Sequence, residues 1–437
     1  MDPLLIGLLS FVAILTLIFL GLHVGVALLI VSIGGLVLTK GLTKALGVME
    51  YMPFNSIAAY EFAVFPLFVL MGELISASGV VDTLFASAQV WLGRLKGGLG
   101  MAVVAMGAAL GAITGSALAA LAMMTRVAFP QMLKYKYDAG VSSGLLAAVA
   151  PLALIIPPSI GLVLYGVLTT ESIGKLLMAG LLPGLMSAVV YAVLIYVLAR
   201  RRPQQWPTVA RSFTWQEKVG SSKAIVPIGL TMLVVLGGIY RGVFTPSEAG
   251  AAGSVIALVL LVIYQRKKAG RAAFGAVWES AGMVSMIFFI LIGSFIYGRF
   301  MSTTGATTQI INAIAAFPVS PYLTFALIIV FYIILGMFVD DFSMLAITLP
   351  VTHPLMIALG FDPIWFGVIA VILVGAATIT PPFGIAVFAA KGLVGDHATL
   401  WSIFMGALPF LIAMMVVIVI LTIFPQIALF LPSVMGK

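Results

Sequence analysis

No cysteine occurs in the 437 residues, which excludes disulfides, thiol nucleophiles and thiolate metal centres. Charge is almost as scarce. Only 8% of residues are Asp, Glu, Lys or Arg, against about 25% in soluble domains. The three histidines, His23, His353 and His397, are scattered, and none pairs at the spacing a metal site needs. There is no phosphate-binding loop, so ATP does not drive this chain directly. No stretch is long and polar enough to form a separate soluble domain.

What fills the chain is apolar. Hydrophobic residues make up 62% of it, and the mean hydropathy is +1.23. Runs long enough to cross about 30 Å of hydrocarbon as helices recur from end to end. Ten full spans are expected, near 4–20, 22–38, 60–77, 142–168, 176–199, 224–240, 248–264, 281–298, 364–390 and 402–432. The first follows Asp2 with no basic residue before it, unlike a cleaved signal peptide, and is read as a retained span.

Two stretches, about 100–133 and 322–358, are too long for one span and too interrupted to be continuous. Thr114-Gly115-Ser116 divides the first, and Gly336 with Asp340-Asp341 divides the second. Each reads as two half-length helices meeting at a polar tip, a re-entrant hairpin of the kind tolerated only inside protein or beside water.

Basic residues orient the chain. Placing Arg200–Arg202, Arg211, Lys218, Lys223, Arg266–Lys268, Arg271 and the flanks of the first hairpin in the cytoplasm requires both termini outside. Of the 22 basic residues only Lys40, Lys44, Lys175, Arg241, Arg299 and Lys437 then face out. The net charge of +8 is explained by this bias rather than by an acidic partner.

The chain also contains itself twice. Ile156-Pro157-Pro158-Ser159 returns as Thr380-Pro381-Pro382-Phe383, and the same offset carries Ser116 onto Asp340. Leu70-Met71-Gly72 returns as Leu291-Ile292-Gly293, and Gly180–Pro183 as Gly406–Pro409. The expected division is residues 1–203, a basic cytoplasmic linker 204–222, and residues 223–437. Each half carries five spans and one hairpin, so the second is inverted relative to the first. Inverted repeats with interrupted helices are a feature of secondary transporters, whose sites lie where the interruptions meet.

Two successive prolines inside a span remove backbone donors and should unwind the helix. Freed carbonyls then suit a hard cation, and half-helix N termini suit an anion. Candidate sodium ligands are Thr114, Gly115, Ser116, Pro157, Ser159, Gly336, Asp340, Thr378, Thr380 and Pro381. Candidate substrate contacts are Ser116, Arg126, Pro158 and Pro382. Asp340 is the first choice for a cation because a membrane carboxylate is functional by default, with Asp341 assigned a structural role. Glu248 reads as a helix cap. A hydrolase using Ser116 would lack a nearby base. A partnerless sodium or proton symporter, or a passive channel, would be built from the same spans and hairpins.

Over nearly its whole length the chain resembles the large membrane subunit of tripartite ATP-independent periplasmic (TRAP) transporters. The resemblance rests on Phe65–Phe68 with Gly72–Leu74, Thr114–Ala117, Ile156–Ser159, Phe244–Ala249, Leu335–Asp340 and Ile379–Gly384. It implies an all-α, elevator-type carrier in the bacterial inner membrane, with sodium as coupling ion and no other cofactor. It implies a small carboxylate substrate such as a dicarboxylate or sugar acid. It also implies a small four-helix membrane subunit and a periplasmic substrate-binding protein as partners. One sodium site would join Thr114–Ala117 to Pro157–Ser159, the other Gly336–Asp340 to Thr380–Pro382. Two departures remove ligands that relatives often carry: Val149–Ala153 before the first double proline, and Ala386 after the second.

Overall fold

A computed structural model describes residues 2–208, 213–222, 225–316 and 320–435. Arg211, Lys223 and Lys437, used above for orientation, lie outside the described residues.

The described residues form helices only. In the first half these are α1 (Pro3–Phe19), α2 (Val24–Lys40), α3 (Leu42–Asn55), α4 (Val64–Ser78), α5 (Val80–Leu92), α6 (Gly98–Thr114), α7 (Ala117–Lys134), α8 (Ala139–Val149), α9 (Leu152–Ile155), α10 (Ile160–Thr169) and α11 (Ile173–Arg201). The second half holds α12 (Trp215–Ser222), α13 (Val226–Tyr240), α14 (Pro246–Gln265), α15 (Ala269–Thr304), α16 (Ala306–Ala316), α17 (Pro321–Gly336), α18 (Asp341–Ala358), α19 (Pro363–Ala377), α20 (Ile385–Val394), α21 (Leu400–Ile423) and α22 (Gln426–Val434).

Local chemistry sets most of the ends. Asp2, Ser320 and Asp362 each cap a helix that begins with proline, where the missing N–H is not needed. Thr245 and Glu248 form a reciprocal capping box over α14, so the capping role expected of Glu248 is the one observed. Gly79 and Gly305 close α4 and α15 with nearly identical left-handed geometry, φ +81° and +78°.

That pair of glycines continues the repeat. Each is followed by a short helix, α5 or α16, then a hairpin, α6/α7 or α17/α18, then a broken helix. The Pro157-Pro158 and Pro381-Pro382 bonds are both cis. Ser116 and Asp340, aligned from sequence alone, occupy the same role as N-caps of α7 and α18.

Several expectations need correction. The hairpin arms are 16 to 18 residues long, or about 25 Å at 1.5 Å per residue, not half-length. The span expected at 402–432 ends at Ile423, and α22 follows. The breaks expected at the double prolines need no correction: the spans at 142–168 and 364–390 are interrupted at 156–159 and 378–384. By length and composition, five helical stretches of the described residues can cross a membrane singly, up to seven if two bent pairs are included. One of the five, Pro246–Thr304, contains two expected spans joined by a tight turn. Helices α3, α5 and α16 were not anticipated. They are short, and Lys44, Glu50 and Pro53 interrupt the apolar pattern of α3. The expected linker contains α12, held to α5 by Trp91 Nε1 donating to Ser222 Oγ at 3.0 Å and by the Trp91–Trp215 edge contact.

Glycine lets these helices approach closely. A side chain at Gly293 would meet the carbonyl of Gly25, and one at Gly250 would meet Leu67. Helix α14 therefore lies along α4, locked by Ser254 and Gln265 donating to the Leu67 and Ala77 carbonyls at 2.8 Å. Small residues at close crossings drive helix association in lipid, where apolar burial cannot.

Candidate functional site

The first hairpin meets the first broken helix end to end. Gly115 has φ +58°, and a Cβ there would lie 2.8 Å from Ile160 Cγ1 and 3.0 Å from the Ile160 nitrogen. The tip therefore rests on the N-terminal turn of α10. A second glycine, Gly111, sets α6 against the Leu152 carbonyl and Ala153.

Two of the three hydroxyls here, those of Thr114 and Ser159, donate to carbonyls. Thr114 Oγ1 donates to the Leu110 or Ser116 carbonyl, at 3.1 and 3.3 Å. Ser159 Oγ donates to the Leu154 carbonyl and accepts from the Leu162 N–H at 3.0 Å. Ser116 Oγ accepts from the Ala119 N–H at 3.5 Å. Hydroxyl protons directed at carbonyls leave oxygen lone pairs facing away, as a cation requires.

The second site uses the same plan. A Cβ at Gly336 would lie 2.4 Å from Ala377 Cβ, so the end of α17 touches the end of α19. The Phe338 and Phe383 rings pack tilted, with centroids 5.0 Å apart, joining the tip to the second break. Thr378 Oγ1 and Thr380 Oγ1 donate back to the Gly375 and Ala376 carbonyls at 2.8 and 2.9 Å. The Thr378 carbonyl accepts from Ala386 N–H at 3.0 Å, so Ala386 contributes through its backbone.

Helix polarity gives each site two characters. The C-terminal ends of α6 and α9, or of α17 and α19, present carbonyl oxygen. The N-terminal ends of α7 and α10, or of α18 and α20, present N–H groups and partial positive charge. A cation and an anion can therefore be held side by side. The two sites are also coupled through packing. A Cβ at Gly375, just before the second break, would lie 2.7 Å from Pro151, just before the first.

The N-cap role expected of Asp341 falls to Asp340 instead. Asp340 Oδ1 accepts from the N–H groups of Phe342 and Ser343 at 3.1 and 3.2 Å and is the cap of α18. Asp341 is the carboxylate turned inward, with a buried Oδ1 that has no hydrogen-bond partner; Ser343 Oγ, also on the first turns of α18, likewise has none. Helical phase decides this, and neighbouring positions differ by about 100° around the axis.

Arg126 is not brought to the tips. It lies ten residues beyond Ser116 on α7, about 15 Å along the axis. There it lines a cavity of about 520 Å³ with Thr125, Phe129 and Leu393. Pro157, Pro158, Pro381 and Pro382 form the cis breaks themselves.

Sequence reasoning overlooked one polar cluster. Tyr165 OH, on α10, bonds His353 Nδ1 and donates to the Pro363 carbonyl, each at 2.8 Å. His353 Nε2 lies 4.0 Å from Glu171. The cluster ties α10 to both α18 and α19. Its signal was present only as isolated polar residues far apart in the chain. Among the described residues no three His, Asp or Glu side chains converge as a metal site.

Residues 11–427 match the family described as tripartite ATP-independent periplasmic transporter, DctM component. The chain belongs to this family. Among curated proteins, the C4-dicarboxylate TRAP transporter large permease protein of Pseudomonas aeruginosa is 29% identical over 91% of this chain and 94% of its own. The ectoine/5-hydroxyectoine large permease of Ruegeria pomeroyi is 32% identical over 84% of each chain. The sialic acid large permease of Vibrio cholerae is 27% identical over 96% of each. The crystal structure of the Alcanivorax borkumensis YdaH transporter covers 90% of each chain with TM-score 0.63 and 15% identity, a similarity of fold. The protein is thus a TRAP large membrane subunit, and its helical architecture is that of a multi-pass transporter.

Proposed function

We propose that this TRAP subunit imports a small carboxylate coupled to sodium, working with a small four-helix membrane subunit and a periplasmic binding protein. The observation that carries the reading is the double pairing of a hairpin tip with a double-proline break. Each pairing sets carbonyl ends beside N–H ends at one point in the membrane. The carbonyl ends and oriented hydroxyls of Thr114, Ser159, Thr378 and Thr380 would hold sodium. The N-terminal ends of α7, α10, α18 and α20 would face the substrate's carboxylate. The substrates named for the relatives, C4-dicarboxylate, sialic acid and ectoine, share a carboxylate group.

In this reading the hairpins and broken helices move together as one body past α1, α2, α4, α14 and α15, in an elevator motion. The two halves lie inverted in the inner membrane, with both termini in the periplasm. Two sodium ions entering at about 100 mV inside negative, down tenfold gradients, supply roughly 7 kcal/mol. Moving a dianion inward costs about 4.6 kcal/mol of this.

Melting of the purified protein in sodium, potassium and choline chloride at equal ionic strength tests the coupling ion, because a ligand of the folded state alone stabilises it. Stabilisation specific to sodium is expected. Identical melting in all three salts by a folded protein would overturn sodium coupling.

A further inference from the structure

Three of the six basic residues that fall outside the cytoplasmic set meet in space. Lys40, Lys44 and Arg299 line one cavity of about 600 Å³. Lys40 ends α2, Lys44 lies in the first turn of α3, and Arg299 lies near the end of α15. Helices α2 and α15 run side by side in one direction, with Gly25 against Phe289 and Gly35 against Phe300. Their C-terminal ends therefore arrive at the same membrane face.

On α3 the cavity wall is Lys44, Gly47, Val48 and Tyr51, the i, i+3, i+4, i+7 spacing of a single helix face. Glu50 is the acid of this helix, but it sits about 240° from Lys44 around the axis. No carboxylate lines the cavity, and among the described residues none forms an ion pair with these three cations.

Two of the cations have ordinary explanations taken singly. Lys40 complements the negative end of α2, and Arg299 can extend toward the membrane surface. Lys44 has neither, since the first turn of α3 is the positive end of that helix. Three cations on one concave wall repel one another, and a cleft lined by one sign of charge concentrates counter-ions. The volume is within the range of small-molecule sites, about 300–1,000 Å³.

We infer that this cavity is an oxyanion-binding site separate from the hairpin tips, taking a molecule that bears a carboxylate or phosphate. Arg299 supplies a planar fork for two oxygens, and the lysines supply point charges. The Tyr51 and Thr303 hydroxyls stand on the same wall. The occupant is a free small acid awaiting transport or the phosphate headgroup of a lipid. Only its assignment to the outer face rests on the proposed transport topology; binding itself does not depend on transport.

The absence of cysteine makes the test clean. A Cβ at Gly47 meets nothing within 4 Å, so Gly47→Cys can carry an environment-sensitive fluorophore in otherwise unaltered protein. The labelled protein, in phosphatidylcholine nanodiscs and sodium-free choline buffer at constant ionic strength, is titrated with inorganic phosphate and with succinate. A saturable change at millimolar anion is expected. It should weaken at least tenfold in Lys44→Gln/Arg299→Gln and persist in Lys175→Gln. Nanodiscs containing phosphatidylglycerol distinguish the sources. A signal already shifted there, and unmoved by phosphate, identifies a lipid headgroup; a normal titration identifies a free anion. The inference is overturned if neither anion acts below about 100 mM and the two lipids give one spectrum, or if the double variant responds unchanged. Sodium-dependent melting of the same variants checks their folding. It also separates failure of this site from failure of sodium coupling.

Discussion

Replacing Gly115 with alanine isolates the contact between the first hairpin and the first break. The backbone penalty for a residue with a Cβ in the left-handed region is about 1–2 kcal/mol, and Gly115 sits at φ +58°. The new methyl would lie 2.8 Å from Ile160 Cγ1 and 3.0 Å from the Ile160 nitrogen. Carbon contacts relax to about 3.5–4.0 Å, so the tip must withdraw by about 1 Å. A backbone nitrogen inside a helix turn cannot yield as a flexible side chain would. If an ion is held across this junction, at least one oxygen leaves its shell. Taking a charged hydrogen bond as a guide, that costs about 1.5–3 kcal/mol, or roughly 10- to 100-fold in sodium affinity. With sodium at 100 times its dissociation constant, wild type gains about 2.7 kcal/mol. A 100-fold weaker variant gains only about 0.4 kcal/mol. The assay is a sodium titration of melting temperature, with Gly229→Ala as a control because a Cβ there meets nothing within 4 Å. A folded Gly115→Ala protein whose half-saturating sodium stays within about threefold of wild type would refute a site across this junction.

Three further outcomes follow from the same geometry. Asp340→Asn should keep the α18 cap and melt near wild type, because asparagine caps as well as aspartate. If the buried, unpartnered Asp341 Oδ1 helps to hold sodium, Asp341→Asn should remove more than half of the sodium-dependent rise in melting temperature; equal behaviour of the two variants would contradict that assignment. Tyr165→Phe leaves His353 and the Pro363 carbonyl without their 2.8 Å partner. It should destabilise the protein by about 1–3 kcal/mol, seen as lower melting temperature in every salt. Glu171 lies between α10 and α11, where partial burial, and then the nearby Asp362, raise its carboxyl above the usual range, with Lys175 opposing. The folded state then holds more protons than the unfolded one, so stability falls as pH rises from the ordinary carboxylate range through the raised value. Melting temperature against pH should show this loss, and Glu171→Gln should flatten it.

Much of the architecture was legible because membrane sequence is constrained locally. An apolar run long enough to span must be a helix, and a glycine-serine or double-proline interruption within one must be a break. This is why Ser116 and Asp340 could be aligned as tips, and Pro157 with Pro381 as breaks, from residue type and spacing. The short helices α3, α5 and α16 escaped because their apolar residues form a stripe rather than a run, and a stripe of 11 to 14 residues resembles loop.

The chain by itself determined its membrane character, its duplicated order of helices and the chemistry available at each interruption. Those features depend on residue type and spacing within a few turns. Tertiary structure alone decided that Asp340 caps while Asp341 turns inward, and that Arg126 stands apart. It alone gathered Lys40, Lys44 and Arg299 around one cavity, and Tyr165, His353 and Glu171 into one cluster. The long contacts among these, such as Tyr165 with His353, join residues far apart in the chain. They depend on helical phase and on which glycines permit close approach, and neither the phase of a distant helix nor its partner is written in the local sequence.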